Sequence, residues 1–130
     1  DGKKIITQQQ NDTTITRIKL TIGNTVFKAT LFDNTSANAF KKQLPLTVTM
    51  KELNGNEKFY FFPGSLPAKA ADIGDIKTGD LMLYGDNCLV LFYKSFTTSY
   101  SYTSIGKIDN ADGLEKALGT GNVTIVFELL

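Results

Sequence analysis

The sequence predicts a mainly β fold in which eight strands form a closed barrel and two short helices cover its ends. Short runs of alternating apolar and polar residues recur along the chain, which is the pattern of strands with one buried face. Gly-Asn, Asn-Gly and Gly-Asp-Asn turns separate these runs, as β-hairpins require. Strands at hairpin spacing leave no exposed edge when the sheet closes on itself, and this favours a barrel.

The first two strands form the clearest hairpin. Alternating residues lie on either side of a Gly-Asn pair near the start of the chain. A two-residue loop places Leu20 opposite Phe27 and Ile18 opposite Ala29. The apolar residues of both strands then share one face, which supports this register.

A short helix is predicted next. Residues 33–36 are all residues that cap helix N-termini, and Phe40 and Leu44 follow at helical spacing. Pro45 ends the helix, because the residue that precedes a proline disfavours the α conformation. We expect this helix to bury Phe40 and Leu44.

The third and fourth strands flank an Asn-Gly pair at positions 54 and 55. A two-residue turn at this pair places Met50 opposite Phe59 and Val48 opposite Phe61. This register directs both phenylalanines into the core.

The rest of the chain predicts a long loop (63–79), a third hairpin (81–84 with 88–93) and one further strand (104–108). A second helix (110–118), which ends at a Gly-Thr-Gly sequence, and a last strand (123–129) follow. A loop as long as 63–79 is unusual in a small domain and is often functional. A passive connection over one end of the barrel is the alternative interpretation.

Length and composition limit the function classes. The 130 residues suffice for one domain with its own core, and we divide them into a flexible polar arm (1–13) and a barrel domain (14–130). The net charge is +1, which predicts no nucleic-acid partner. No apolar run reaches the roughly 18 residues of a transmembrane helix. Because the chain starts at Asp1 with a polar segment, we expect an exported protein of the periplasm or cell envelope.

Acid–base and metal chemistry have few candidate residues. The chain contains no histidine, so the usual general base and the commonest metal ligand are missing. Cys88 is the only cysteine and lies in an apolar run, which predicts a buried thiol and excludes an internal disulfide. We therefore assign no catalytic residue, and we expect neither a metal nor a cofactor.

Several stretches resemble the cyclophilins. GDLMLY at 79–84, followed by LFY at 91–93, is similar to the cyclophilin strands that contain Gln-Phe-Phe. IGKI at 105–108 and GLEK at 113–116 resemble the cyclophilin Phe-Gly-Lys-Val strand and the Gly-Met-Asp helix after it. LPLTVTM, LNGNEKFYFFP and GDLMLYGDNCLVLFY are similar to sequences of bacterial cyclophilin-like domains that have no established activity. The resemblance implies a cyclophilin-like barrel from about residue 15 onward.

The resemblance also implies where the catalytic residues of a prolyl isomerase would fall. The isomerase arginine stabilises the twisted X–Pro amide, but the only basic residue on the matching strand is Lys58, which lacks a planar guanidinium. The glutamine of Gln-Phe-Phe falls at Leu91 and its second phenylalanine at Tyr93. The isomerase histidine and tryptophan have no counterpart, because the chain contains neither residue type. These differences argue against a working isomerase.

We therefore favour a non-catalytic binding module whose cyclophilin-type groove accepts a peptide or a small ligand. Its candidate residues are Lys58, Phe59, Phe61, Met82, Leu91, Tyr93, Tyr100 and Tyr102. Tyr100 and Tyr102 lie in a Ser/Thr-rich segment and are the better candidates for exposure, whereas Phe59, Phe61 and Met82 also fit a plain core.

Three other functions stay open. One is a weak or altered prolyl isomerase that uses Lys58 and Tyr93. Another is an unrelated enzyme with a carboxylate or tyrosine base, for example at Asp80 or Asp86, although no catalytic motif supports it. The last is a structural protein of an exported assembly.

Overall fold

The computed structural model describes residues 15–130, so the arm predicted at 1–13 lies outside the described residues. Within this range the chain forms eleven β-strands and two α-helices. The strands are β1 (Thr16–Ile22), β2 (Thr25–Leu31), β3 (Leu46–Leu53), β4 (Glu57–Phe61), β5 (Ala71–Asp72), β6 (Asp75–Ile76), β7 (Asp80–Tyr84), β8 (Cys88–Phe92), β9 (Phe96–Thr97), β10 (Ser101–Ile108) and β11 (Val123–Leu129). The helices are α1 (Thr35–Lys41) and α2 (Leu114–Leu118).

Eight of the strands close into an antiparallel barrel, which confirms the predicted fold class. Their order is β2-β1-β11-β3-β4-β8-β7-β10, and β10 returns to pair with β2. Gly106 of β10 lies opposite Leu31 of β2 at this closure. A Cβ atom at Gly106 would lie 2.5 Å from the carbonyl oxygen of Thr30, so the two strands approach closely only because this residue has no side chain.

The first hairpin has the predicted register. Leu20 lies opposite Phe27 and Ile18 lies opposite Ala29, and all four side chains are buried. Alternation and a two-residue turn were therefore sufficient to position β1 and β2.

The register predicted for β3 and β4 is wrong by one residue. Phe59 lies opposite Lys51, one position beyond the predicted partner, because three residues rather than two separate the strands. A slip of one residue exchanges the two faces of a strand. Lys58 is consequently inside the barrel and fully buried, whereas Phe61 lies outside and is 59% exposed.

Both helices form near their predicted positions, but each is shorter. The side chain of Asn34 accepts a hydrogen bond of 2.7 Å from the Ala37 N–H and caps α1, which buries Phe40 completely. The second helix begins later than predicted because Gly113 has a φ of 81°, outside the helical range. It ends at Gly119, as predicted.

The segment at 63–79 is attached to the barrel and contains the short strands β5 and β6, which the sequence did not predict. The Ser36 hydroxyl donates to the Pro67 carbonyl, and the Lys69 N–H donates to Thr103 Oγ1 at 3.0 Å. β5 pairs with β10, while β6 and β9 form a separate two-stranded ribbon. Strands of two residues are too short to show alternation.

The buried apolar residues form two clusters. The larger one fills the barrel and includes Leu20, Phe40 and Phe127. The smaller one lies on the outer face of the barrel, below the β6–β9 ribbon, and consists of Ile76, Met82, Cys88, Val90, Phe92 and Tyr102. This second cluster gives the outer face an apolar floor. No helix within residues 15–130 is long and apolar enough to cross a membrane.

Candidate functional site: an aromatic groove on the outer face

A cavity of about 340 Å³ opens on the outer face of the barrel. Strand pairing aligns Phe59 with Val90 and Phe61 with Cys88, and Cys88 also pairs with Tyr84. We call this cavity the aromatic groove. The residues that line it are Leu53, Asn54, Glu57, Phe59, Phe61, Tyr84, Cys88, Val90, Tyr100 and Tyr102.

The aromatic rings of the groove contact one another in edge-to-face and tilted arrangements. The ring centroids of Phe59 and Phe61 are 5.6 Å apart. The Tyr84 centroid lies 6.1 Å from that of Tyr100 and 5.5 Å from that of Tyr102. Separations of about 4.5–7 Å are favourable for aromatic pairs, so these contacts hold the rings in place around the cavity.

The rim of the groove is exposed and its floor is buried. Phe61 and Tyr100 are 59% and 63% exposed, whereas Cys88 and Val90 are buried. Large apolar side chains that are clustered and exposed are typical of interaction sites. The arrangement can therefore bury an apolar group between the rim residues and the floor.

Glu57 is the one charged side chain among the residues that line the groove. Only 8% of its surface is exposed, and none of the three ion pairs within residues 15–130 includes it. Burial raises the pKa of Glu57, and the nearby charge of Glu52 raises it further. Burial also raises the pKa of the Cys88 thiol to about 11, so this thiol is protonated at neutral pH and is a poor nucleophile.

A cluster of polar groups lies on the opposite, inner face of β4. Lys58 Nζ donates to the carbonyl oxygens of Gly119 at 2.9 Å and Gly121 at 2.7 Å, and it lies 3.0 Å from Glu52 Oε1. The Tyr93 hydroxyl donates to the same carboxylate oxygen at 2.8 Å. We call these five residues the lysine network. These hydrogen bonds hold the loop after α2 against the barrel.

The lysine network also lowers the pKa of Glu52. Burial raises the pKa of Glu52, but hydrogen bonds from Tyr93, Lys58 and the Gly55 N–H outweigh this effect and lower it below its usual value. A cleft of about 480 Å³ lies beside the network, between Glu52, Tyr93 and the start and end of α2. The Glu52 carboxylate and the carbonyls of Gly119 and Gly121 are bound by Lys58, and the charged side chains of Glu115 and Lys116 also line this cleft. It therefore lacks the apolar, aromatic lining of the aromatic groove.

Metal ligation has no geometric support in the part of the chain that the structure describes. Over residues 15–130, no group of three or more cysteine or acidic side chains converges on one point.

The model of the cyclophilin-like family matches residues 20–128. The chain belongs to the cyclophilin-like family. Among solved structures, it is similar to a hypothetical protein of Archaeoglobus fulgidus, with 15% identity and a TM-score of 0.59, over 90% of this chain and 96% of that one. At this identity the likeness extends to the fold alone. No curated protein matches the chain significantly.

The cyclophilin-like barrel separates the eight residues predicted for the groove. The four that line the aromatic groove are Phe59, Phe61, Tyr100 and Tyr102. Met82 is buried beneath it in the smaller apolar cluster.

The remaining three predicted residues, Lys58, Leu91 and Tyr93, do not line the aromatic groove of this cyclophilin-like chain. Leu91 and Tyr93 belong to the cluster that fills the barrel, and Lys58 is fully buried on the same side. Successive residues of a strand face opposite sides of a sheet, so Lys58 cannot share a surface with Phe59.

Six residues that line the groove were not predicted for it from the sequence: Leu53, Asn54, Glu57, Tyr84, Cys88 and Val90. Glu57 lies two residues before Phe59, as Phe59 lies two residues before Phe61, so all three side chains are on the same face of β4. The correct β3–β4 register would have identified this outward-facing set. Tyr84 follows Met82 at the same spacing, which was the available signal for that residue.

Proposed function

We propose that this cyclophilin-like protein is a non-catalytic binding module and that its aromatic groove holds an apolar peptide segment or a small ligand. The observation that carries the proposal is the exposed aromatic rim above a buried apolar floor. Pockets for small molecules are mostly apolar and occupy about 300–1,000 Å³. The groove, at about 340 Å³, is suited to a small ligand or to one or two peptide side chains.

The position of Lys58 supports a binding role over a prolyl isomerase role. Isomerase catalysis requires donors that stabilise the twisted amide better than the planar one. No lysine or arginine is among the residues that line the groove. Lys58 is bound inside the barrel by two carbonyl oxygens and Glu52.

The test uses NMR spectra of the isotope-labelled protein with a panel of X–Pro peptides and small apolar ligands. We expect selective shifts or line broadening at residues of the groove and an unchanged rate of X–Pro cis–trans exchange. Phe61→Ser removes an exposed ring from the groove, and Phe32→Ser removes an exposed ring elsewhere on the surface. Binding should weaken in the first variant and persist in the second.

Two results would contradict the proposal. Faster cis–trans exchange in the presence of the protein would show catalysis and would favour the altered isomerase. If no member of the panel perturbs the groove, or if both phenylalanine variants weaken binding equally, the groove is not the binding site.

A further inference from the structure

We infer that the ligand of the aromatic groove carries an alkylammonium group, which packs against the aromatic rim with Glu57 as its counter-ion. This inference rests on the proposed function and names the chemistry of the ligand. Glu57, Phe61 and Tyr84 line the same cavity, and they combine a carboxylate with aromatic rings.

Glu57 has no ion-pair partner within residues 15–130. Only 8% of the surface of this residue is exposed, and carboxylates with so little exposure are normally paired or hydrogen-bonded. Lys58, its neighbour in sequence, faces the opposite side of the strand and is bound to Glu52.

The charges around Glu57 favour a positive ligand group. Glu52 is the other charge that acts on this carboxylate, and it raises the pKa of Glu57 through repulsion. Lysine and arginine are absent from the residues that line the cavity. A positive ligand group would therefore relieve both the unpaired charge and the repulsion, whereas an anionic ligand would increase them.

The aromatic rim of the groove also suits a cation. A cation is attracted to the face of a phenylalanine or tyrosine ring within about 6 Å of its centroid, and cages of such rings bind alkylated ammonium groups. Phe61, Tyr84 and Tyr100 are exposed at the rim and are held by edge-to-face contacts. The alkyl part of the ligand would contact the apolar floor at Val90.

The experiment compares charged probes with neutral probes of the same shape by NMR titration of the full chain. Choline is paired with 3,3-dimethylbutan-1-ol, and N-acetyl-lysine methylamide is paired with N-acetyl-norleucine methylamide. We expect at least one charged probe to bind roughly tenfold more tightly than its neutral partner, in line with a desolvated cation–π contact and an ion pair. Choline alone would indicate a free organic cation, and the lysine probe would indicate a peptide side chain; both support the inference.

Two variants and one control separate the contributions. Glu57→Gln should reduce the affinity for the charged probe to that for its neutral partner, and Phe61→Leu should reduce the preference while it keeps an apolar rim. Glu128→Gln changes a glutamate on β11 that does not line the groove, and it should leave both affinities unchanged. Glu57→Gln removes a carboxylate without a partner, so this variant should fold.

The outcomes distinguish the inference from the proposed function. Equal binding of charged and neutral probes, unaffected by Glu57→Gln, would overturn the inference and leave the binding groove intact. If no probe perturbs the groove, both are overturned. Self-association that increases with protein concentration and is lost in Glu57→Gln would assign the groove to a second copy of the chain and would also overturn the inference.

Discussion

Replacement of Lys58 by methionine should destabilise the protein strongly without affecting the aromatic groove. The ammonium group is fully buried and is bound by the carbonyl oxygens of Gly119 and Gly121 and by Glu52. Methionine has a similar length and fills the same space, but it donates no hydrogen bond. The variant therefore isolates the polar contribution of Lys58.

The expected loss is about 3–5 kcal/mol of unfolding free energy, which is the usual cost of removing one partner of a buried ion pair. Hydrogen bonds to a charged group contribute about 1.5–3 kcal/mol each, and the two glycine carbonyls would lose such bonds. The loss of the ion pair at Glu52 contributes less to the destabilisation, because this side chain is 28% exposed and still accepts a hydrogen bond from Tyr93. A total stability of roughly 5–15 kcal/mol would fall by a large fraction.

Urea unfolding followed by far-ultraviolet circular dichroism measures this loss. Lys51→Met is the matched control, because Lys51 lies on the adjacent strand and is exposed; we expect it to change stability by less than about 0.5 kcal/mol. Glu52→Gln should cost about 3 kcal/mol, the lower end of the same range, because it leaves a fully buried ammonium without its counter-ion while both carbonyl partners remain. A Lys58→Met variant within about 1 kcal/mol of the wild type would refute the reasoning, because water would then be replacing the ammonium at the glycine carbonyls.

Two further predictions concern barrel closure and pH. Gly106→Ala should destabilise the barrel by about 1–3 kcal/mol, because the new Cβ clashes with Thr30. The control is Gly64→Ala, whose new Cβ has no atom within 4 Å and which should be close to neutral in the same urea experiment. Equal effects of the two variants would contradict the role of Gly106 at the closure. The pKa of Glu57 is higher in the folded protein than its ordinary value of 4.5. At a pH between these two pKa values, the native state binds more protons than the unfolded state. Stability therefore falls as the pH rises through this window. Glu57→Gln should therefore be more stable than the wild type at pH 7 and should lose this advantage below the ordinary carboxyl pKa. Equal urea midpoints of the two proteins, at pH 7 and below the ordinary carboxyl pKa alike, would contradict the raised pKa of Glu57.

Local patterns in the sequence predicted most of the fold. The alternation around the first turn was sufficient for the β1–β2 register, and the cap residues before Phe40 located α1. The second hairpin shows the limit of this reasoning. An Asn-Gly pair predicts a two-residue turn, and both residues do adopt the positive φ that such a turn requires. A third residue, Asn56, nevertheless separates the two strands.

That one-residue difference had a large effect on the candidate site. It exchanged the faces of β4, so that Phe61 became exposed and Lys58 became buried. The aromatic residues predicted for the groove still line it, because Phe59 and Phe61 share a face in either register. Lys58 was displaced to the opposite side of the sheet for the same reason.

The sequence by itself determined the fold class, the first hairpin and the positions of the two helices, because these depend on neighbours close along the chain. Only the tertiary structure decided which residues meet on the outer face, where Phe61 of β4 and Tyr84 of β7 line one cavity. It also decided that Glu57 is buried there without a partner while Lys58 binds glycine carbonyls more than 60 residues away. Such contacts join strands that are distant in sequence, and their formation depends on strand order and register across the whole closed barrel.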